Sequence, residues 1–226
     1  CQALLKELLR AADYIDEVVA EEEQLPAFDV HASMVSLPHL CRADFAAPST
    51  GTPYLRAPEE SRIKLGRLEQ AKLRIGIYWA AMPGQAQDRQ RSVSFEHFLA
   101  LSGDPELLFF SLQGGVHQKD IQGFGAGGLV HDVGRGIFDF GEAATALSQL
   151  DLLISIDAPV AHLAAAMGVK TWVLLPSTAD WRWQLGGAEA PWYPSARVFQ
   201  QTSPGNWNDV FAAVRRELDV LKKAAA

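Results

Sequence analysis

The sequence predicts an α/β protein built on a doubly wound parallel sheet, and three observations carry that prediction. Short apolar runs without polar alternation, Leu73–Trp79, Leu107–Gln113, Leu152–Asp157 and Thr171–Leu175, read as strands buried on both faces. Helical patterns such as Phe95–Leu101 and Glu142–Leu150 separate them, and that alternation implies parallel strands joined by crossovers. The run Ile154 to Pro176 then holds strand, tight turn, short helix and second strand in one unit. Its helix would point backbone N–H groups and a positive dipole end at the crevice above the sheet.

Taken in order, Leu4–Ala11 reads as a helix, Asp16–Ala20 and Phe28–Met34 as short strands, and Ser36–Cys41 as a helical turn. The stretch Ala46 to Pro53, rich in Pro, Ser, Thr and Gly, and the charged stretch Glu59–Lys72 read as a linker, which puts a domain boundary there. From Leu73 the alternation is regular. Besides the segments above it includes a strand at Leu129–Val133 and helices at Val160–Met167 and Asp209–Leu221. Ala161, Ala164, Ala165 and Ala166 suit the first of those helices to close packing.

With 226 residues, 48% of them hydrophobic, the chain can bury a substantial core. A formal charge of −7 argues against a general nucleic-acid partner but permits a local basic pocket for a phosphorylated small molecule. Cys1 and Cys41 offer at most one bridge, which a core of this size does not need, so a reducing compartment is expected. No apolar run is long enough for a membrane helix, and the opening segment lacks the apolar core of a secretory signal. The expected location is therefore cytoplasmic. The start at Cys1, directly followed by a helical pattern, is read as the mark of a fragment.

Several motifs have bland readings. Gly123–Gly128 matches G-x-G-x-x-G, but it precedes a strand instead of opening a helix, so it reads as a loop. His31, His39 and Cys41 lack a fourth ligand, and no Asp-x-Asp pair occurs, so no metal is expected. Asp157 and His162 read as ligand-site residues because they follow the carboxyl end of a central strand; the alternative is that Asp157 caps the helix and His162 packs. Arg91, in the loop after the first strand, can neutralise a diphosphate by a forked contact or stand solvated. The aromatic cluster Asp180–Trp183 and Pro191–Pro194 reads as loop packing in preference to a stacking surface for sugars or bases.

An ordered series of landmarks resembles a known family. They are Leu25-Pro26-x-Phe28-Asp29-Val30-His31, Ser36-Leu37-Pro38, Pro53-Tyr54-Leu55, the loop Trp79–Ser92, Ser111-Leu112-Gln113 and Asp139-Phe140. They continue through Asp157–Pro176, Asp180-Trp181-Arg182-Trp183, Pro191-Trp192-Tyr193-Pro194 and Trp207. The series is similar to bacterial glycosyltransferases associated with tetratricopeptide repeats, related to O-linked N-acetylglucosamine transferases and, more distantly, to lipopolysaccharide heptosyltransferases.

The resemblance implies a glycosyltransferase-B architecture of two facing Rossmann-like domains. Residues 1–45 would close the N-terminal one, 46–72 link, 73–205 hold the nucleotide sugar and 206–226 form a terminal helix. It implies metal-independent, inverting transfer of a sugar from a nucleotide diphosphate sugar to a hydroxyl on a protein, lipid or glycan, with no cofactor and with the catalytic base upstream of Cys1. Arg91 and Ser92 would meet the diphosphate; Asp139, Phe140 and Glu142 would lie near ribose and base; Asp157, Ala158, Pro159 and His162 would form the phosphate-binding turn; and Gln113 would complete the donor site. Four places depart from the family pattern: Ala81-Met82-Pro83 for Gly-Asn-Pro, Gln85 for His, Gly114 for Lys, and Ala158-Pro159 for Thr-Ser. The losses of a hydroxyl, an N–H and a cation predict weaker donor binding. They motivate a competing reading, a degenerate binding or scaffold module; a sugar-nucleotide epimerase is a third.

Overall fold

The structure, a computed structural model, describes the whole chain except residues 44–50, 52, 61, 67, 82–83, 85–87, 185–188, 191 and 226. Its strands are β1 Leu73–Tyr78, β2 Leu107–Ser111, β3 Val130–Asp132, β4 Leu152–Ile156, β5 Thr171–Leu175, β6 Glu189–Ala190 and β7 Tyr193–Gln200. Its helices are α1 Lys6–Arg10, α2 Leu37–Leu40, α3 Asp88–Arg91, α4 Phe95–Leu99, α5 Lys119–Gly123, α6 Phe140–Leu147, α7 Pro159–Ala166, α8 Trp181–Gln184 and α9 Asn208–Ala224. One sheet runs β3-β2-β1-β4-β5-β7-β6. Every pairing from β3 across to β7 is parallel, and only the short edge strand β6 is antiparallel.

This is a Rossmann-like α/β sheet, and its apolar strands explain why. Every residue of β2, β4 and β5 is buried, as a sheet covered on both faces requires. The sheet carries its helices close: Ala161, Ala164 and Ala165 of α7 are fully buried. A Cβ added at Gly76 in β1 would come within 2.5 Å of Leu150 Cδ1 and 2.8 Å of Leu112 Cδ1, so a larger residue there requires those leucine side chains to shift. α9 is the amphipathic terminal helix the periodicity predicts, with Val210, Phe211, Val214 and Leu218 turned inward. Strand order reverses between β1 and β4. In open α/β sheets that reversal parts the connections and leaves a crevice at the carboxyl ends of the two strands.

The predicted helix at Leu4–Ala11 and turn at Ser36–Cys41 are present as a 3-10 turn with α1, and as α2. The expected strands at Asp16–Ala20 and Phe28–Met34 are not: among the described residues no strand precedes Leu73. An extended segment becomes a strand only where a ladder partner satisfies its N–H and C=O groups, and here those residues lie largely exposed. Two strands were missed, β6 and β7. In β7, Pro194 and mixed exposure hide the apolar signal.

Much of the stretch read as a linker packs where it is described. The Tyr54 and Leu55 N–H groups donate to Ala166 O at 3.0 and 3.4 Å, and Gln149 bridges Leu65 N and Ile63 O at 3.0 Å each. α1 sits on α6, burying Leu8. The loop reading of Gly123–Gly128 holds: Gly125 adopts φ +65°, and the segment leads into β3. Cys1 and Cys41 are both free. Among the described residues no helix is long and apolar enough to cross a membrane.

Candidate functional site

At the β1/β4 reversal the chain encloses a cleft of about 560 Å³. Its walls are the segments that leave the parallel strands: Ala81 and Arg91 after β1, Gly114 after β2, Phe138 to Phe140 after β3, and Asp157 to Val160 after β4. Leu4, from the N-terminal turn that packs on α6, closes one side.

Gln113 holds the walls in register. Fully buried, its Oε1 accepts from the N–H groups of Trp79 at 3.1 Å and Ala80 at 2.9 Å, while Nε2 donates to Ala80 O at 2.9 Å. This one side chain ties the loop after β1 to the end of β2. Gly134 presses on the same point: a Cβ there would lie 2.2 Å from Gln113 O.

α3 and the residue after it present the cation. Ser92 Oγ donates to Asp88 O at 2.6 Å and accepts from Ala81 N at 3.1 Å, stapling the turn. Arg91 then spans the crevice, Nη2 to Asp88 Oδ1 at 2.6 Å and Nη1 to Asp157 O at 3.5 Å, with about a third of its side chain (32%) open to solvent. Its Nε is buried with no hydrogen-bond partner among the described residues.

Across the crevice, α7 begins at the N-cap Ala158, whose extended backbone (φ −150°, ψ 160°) suits a capping residue but whose methyl group cannot cap. Pro159 follows at the first helical position, where its missing N–H removes one donor from the tip. Beneath the tip Asp157 Oδ1 accepts from Trp183 Nε1 at 2.9 Å and faces His162 Nε2 at 3.5 Å. Burial pushes its carboxyl pKa up. The bonds to His162 and Trp183, with the nearby charges of His162 and Arg91, outweigh that and hold it below the ordinary value. His162 stacks on Trp183 at 4.6 Å between centroids, and its Nδ1 lies 3.2 Å from the Tyr193 hydroxyl.

At the third wall Asp139 is the N-cap of α6, its Oδ1 accepting from Glu142 N at 2.8 Å, and Glu142 Oε2 accepts from Phe138 N at 2.7 Å. The pair forms a reciprocal cap in the manner of a capping box. Phe138 itself is 76% exposed on the cleft wall.

Of the ten predicted residues, Arg91, Asp139, Phe140, Asp157, Ala158 and Pro159 line the cleft; Ser92, Gln113, Glu142 and His162 stand behind it and position the others. Sequence reasoning missed Asp88, Phe138 and Leu4. An acidic residue three before the arginine was the available signal for Asp88; for Leu4 there was none, since only tertiary packing brings it here. Among the family departures, Ala81, Gly114, Ala158 and Pro159 are on the walls, whereas Met82, Pro83 and Gln85 lie outside the described residues. No group of three side chains able to hold a metal occurs among the described residues.

Fold and cleft together define a Rossmann-like α/β protein with a crevice at its topological switch point. Compared with known proteins, the chain matches no family model, no curated protein and no solved structure.

Proposed function

We propose that the cleft binds the nucleotide diphosphate sugar of a metal-independent, inverting glycosyltransferase of B-type architecture. The observation that carries this reading is the placement of the Arg91 guanidinium across from the N-terminus of α7, 3.5 Å from Asp157 O. A cation and a positive dipole end meeting over a crevice suit a diphosphate, whose charge rises as it departs from the sugar. Phe138, Phe140 and Leu4 supply the apolar surface on which a base can lie. The acceptor is a hydroxyl of a protein, lipid or glycan, and a base from the facing domain takes its proton.

Calorimetry with ADP, GDP and UDP tests this. Arg91→Ala should weaken the tightest of the three by about 10- to 100-fold, the worth of a charge-assisted contact. Arg91→Lys, which keeps a cation beside the nearly buried Asp88, should fall between. Equal affinity in all three proteins, or no binding by the wild type, removes the proposal.

A second reading, a binding module that has lost turnover, is favoured by one feature. Arg91 is already paired with Asp88 at 2.6 Å, so an anion must compete for it at a tip weakened by Pro159. Nucleotide binding without sugar transfer or donor hydrolysis by the intact protein would select it.

A further inference from the structure

The two tryptophans of α8 face different ways. Trp183 is fully buried and holds Asp157, whereas Trp181 keeps 49% of its surface in water. Residues two apart on a helix point to nearly opposite sides, so the inner indole braces the cleft and the outer one is presented to solvent. That outer ring is held in place: Trp192 meets it edge-on at 6.2 Å and 81°, and the Arg182 guanidinium carbon lies 4.5 Å over its centroid. Asp180 fixes the guanidinium, its Oδ1 accepting from Arg182 Nη1 at 2.9 Å and from Arg182 N at 3.0 Å. The guanidinium occupies one face of the half-exposed indole, so a ligand that stacks on this ring must use the other.

We propose that Trp181, with Arg182 and Asp180 at its rim, is a carbohydrate-binding subsite that takes one pyranose ring of a neutral glycan. The axial C–H groups of a sugar ring stack on an indole face, and its hydroxyls need a donor and an acceptor close by, which the guanidinium and carboxylate supply. Arg182 and Asp180 balance in charge, which suits an uncharged ligand. A single indole and its rim are also far smaller than the ~800 Å² each partner buries in a stable protein interface. Resting on the reading of the cleft as a donor site, the subsite holds the acceptor, on the same short helix whose Trp183 braces Asp157 beneath the cleft.

The test is saturation-transfer NMR and tryptophan fluorescence titration of the full chain with methyl β-glucopyranoside, methyl α-mannopyranoside, N-acetylglucosamine and maltotriose. At least one of these should bind the wild type, and Trp181→Ala should bind it at least about tenfold more weakly while melting at the wild-type temperature. Trp181→Phe should retain part of the affinity. Wild-type affinity in Trp181→Ala, or no sugar bound by the wild type, overturns the subsite. ADP, GDP and UDP are titrated into the same proteins. Sugar binding in a wild type that takes no nucleotide upholds the subsite and overturns its role as an acceptor site.

Discussion

The indole N–H of Trp183 donates to the carboxylate of Asp157 at 2.9 Å, joining α8, which follows β5, to the end of β4 beneath the cleft. Because Asp157 is partly buried and ionised, losing this donor should be felt in stability. Trp183→Phe is expected to destabilise the fold by about 1–3 kcal/mol through the weakened carboxylate network, with some added loss from the smaller ring. Denaturant titration against the wild type measures it.

The pH dependence follows from the same carboxylate. Its folded pKa lies below the ordinary value despite the opposing effect of burial, so the unfolded chain binds the proton more readily. The stabilisation is then fully present above the unfolded carboxylate value of about 3.9, and is lost as pH falls through the folded value. Asp104 and Glu106, held down by hydrogen bonds from Lys222 and Lys72 respectively, act in the same sense. Asp157→Asn should flatten the acid limb of a melting-temperature profile without abolishing it.

At the α7 tip a hydroxyl is missing where the backbone is ready for one. Ala158→Ser should stabilise the protein by about 0.5–2 kcal/mol, because the N-cap already has extended geometry and makes no side-chain bond. Thermal unfolding reads this directly. An unchanged melting temperature would show that the tip donors have other acceptors.

Gly114 offers a gain instead of a loss. A Cβ there meets no atom within 4 Å, and the backbone (φ −99°, ψ 172°) accepts any side chain. Gly114→Lys adds a cation to a cleft wall that otherwise carries Arg91 against Asp88, Asp139 and Asp157. Nucleoside diphosphate affinity by calorimetry should rise about tenfold, in keeping with a charge-assisted contact.

Gly134→Ala should act in the opposite direction. Its Cβ would sit 2.2 Å from Gln113 O, a backbone atom with no free rotation to yield, so the end of β2 must shift. The expected cost is about 1–3 kcal/mol, accompanied by weaker nucleotide binding as the Trp79–Ala80 brace moves. Chemical denaturation and calorimetry on one preparation separate the two effects.

The five strands from Leu73 to Leu175 and the helices α4, α6 and α7 were legible because each apolar run is long enough to be buried and is bounded by turn residues, whereas the short helices α3 and α5 carry no such run and were not read. The carboxyl end of β4 was legible as a place where an open α/β sheet binds ligands, and the cleft lies there, but the reversal of strand order beside it is set by pairing. Side-chain roles were less so. The family resemblance placed Asp139 and Glu142 near ribose and base, yet their local helix-capping bonds engage both. His162 lies in the first turn of α7 as expected, but stacking on Trp183 keeps it behind Asp157.

Local chemistry determined the elements: hydrophobic period, small residues in α7 and an N-cap aspartate before α6 are all written in neighbouring positions. Which elements pair, and which side chains share the cleft, depends on contacts between residues far apart in the chain. Trp183 reaching Asp157, Leu4 reaching the cleft and Gln113 bracing Ala80 are such contacts. The tertiary structure alone decided them, because burial leaves each polar group only the partners that folding brings within hydrogen-bonding distance.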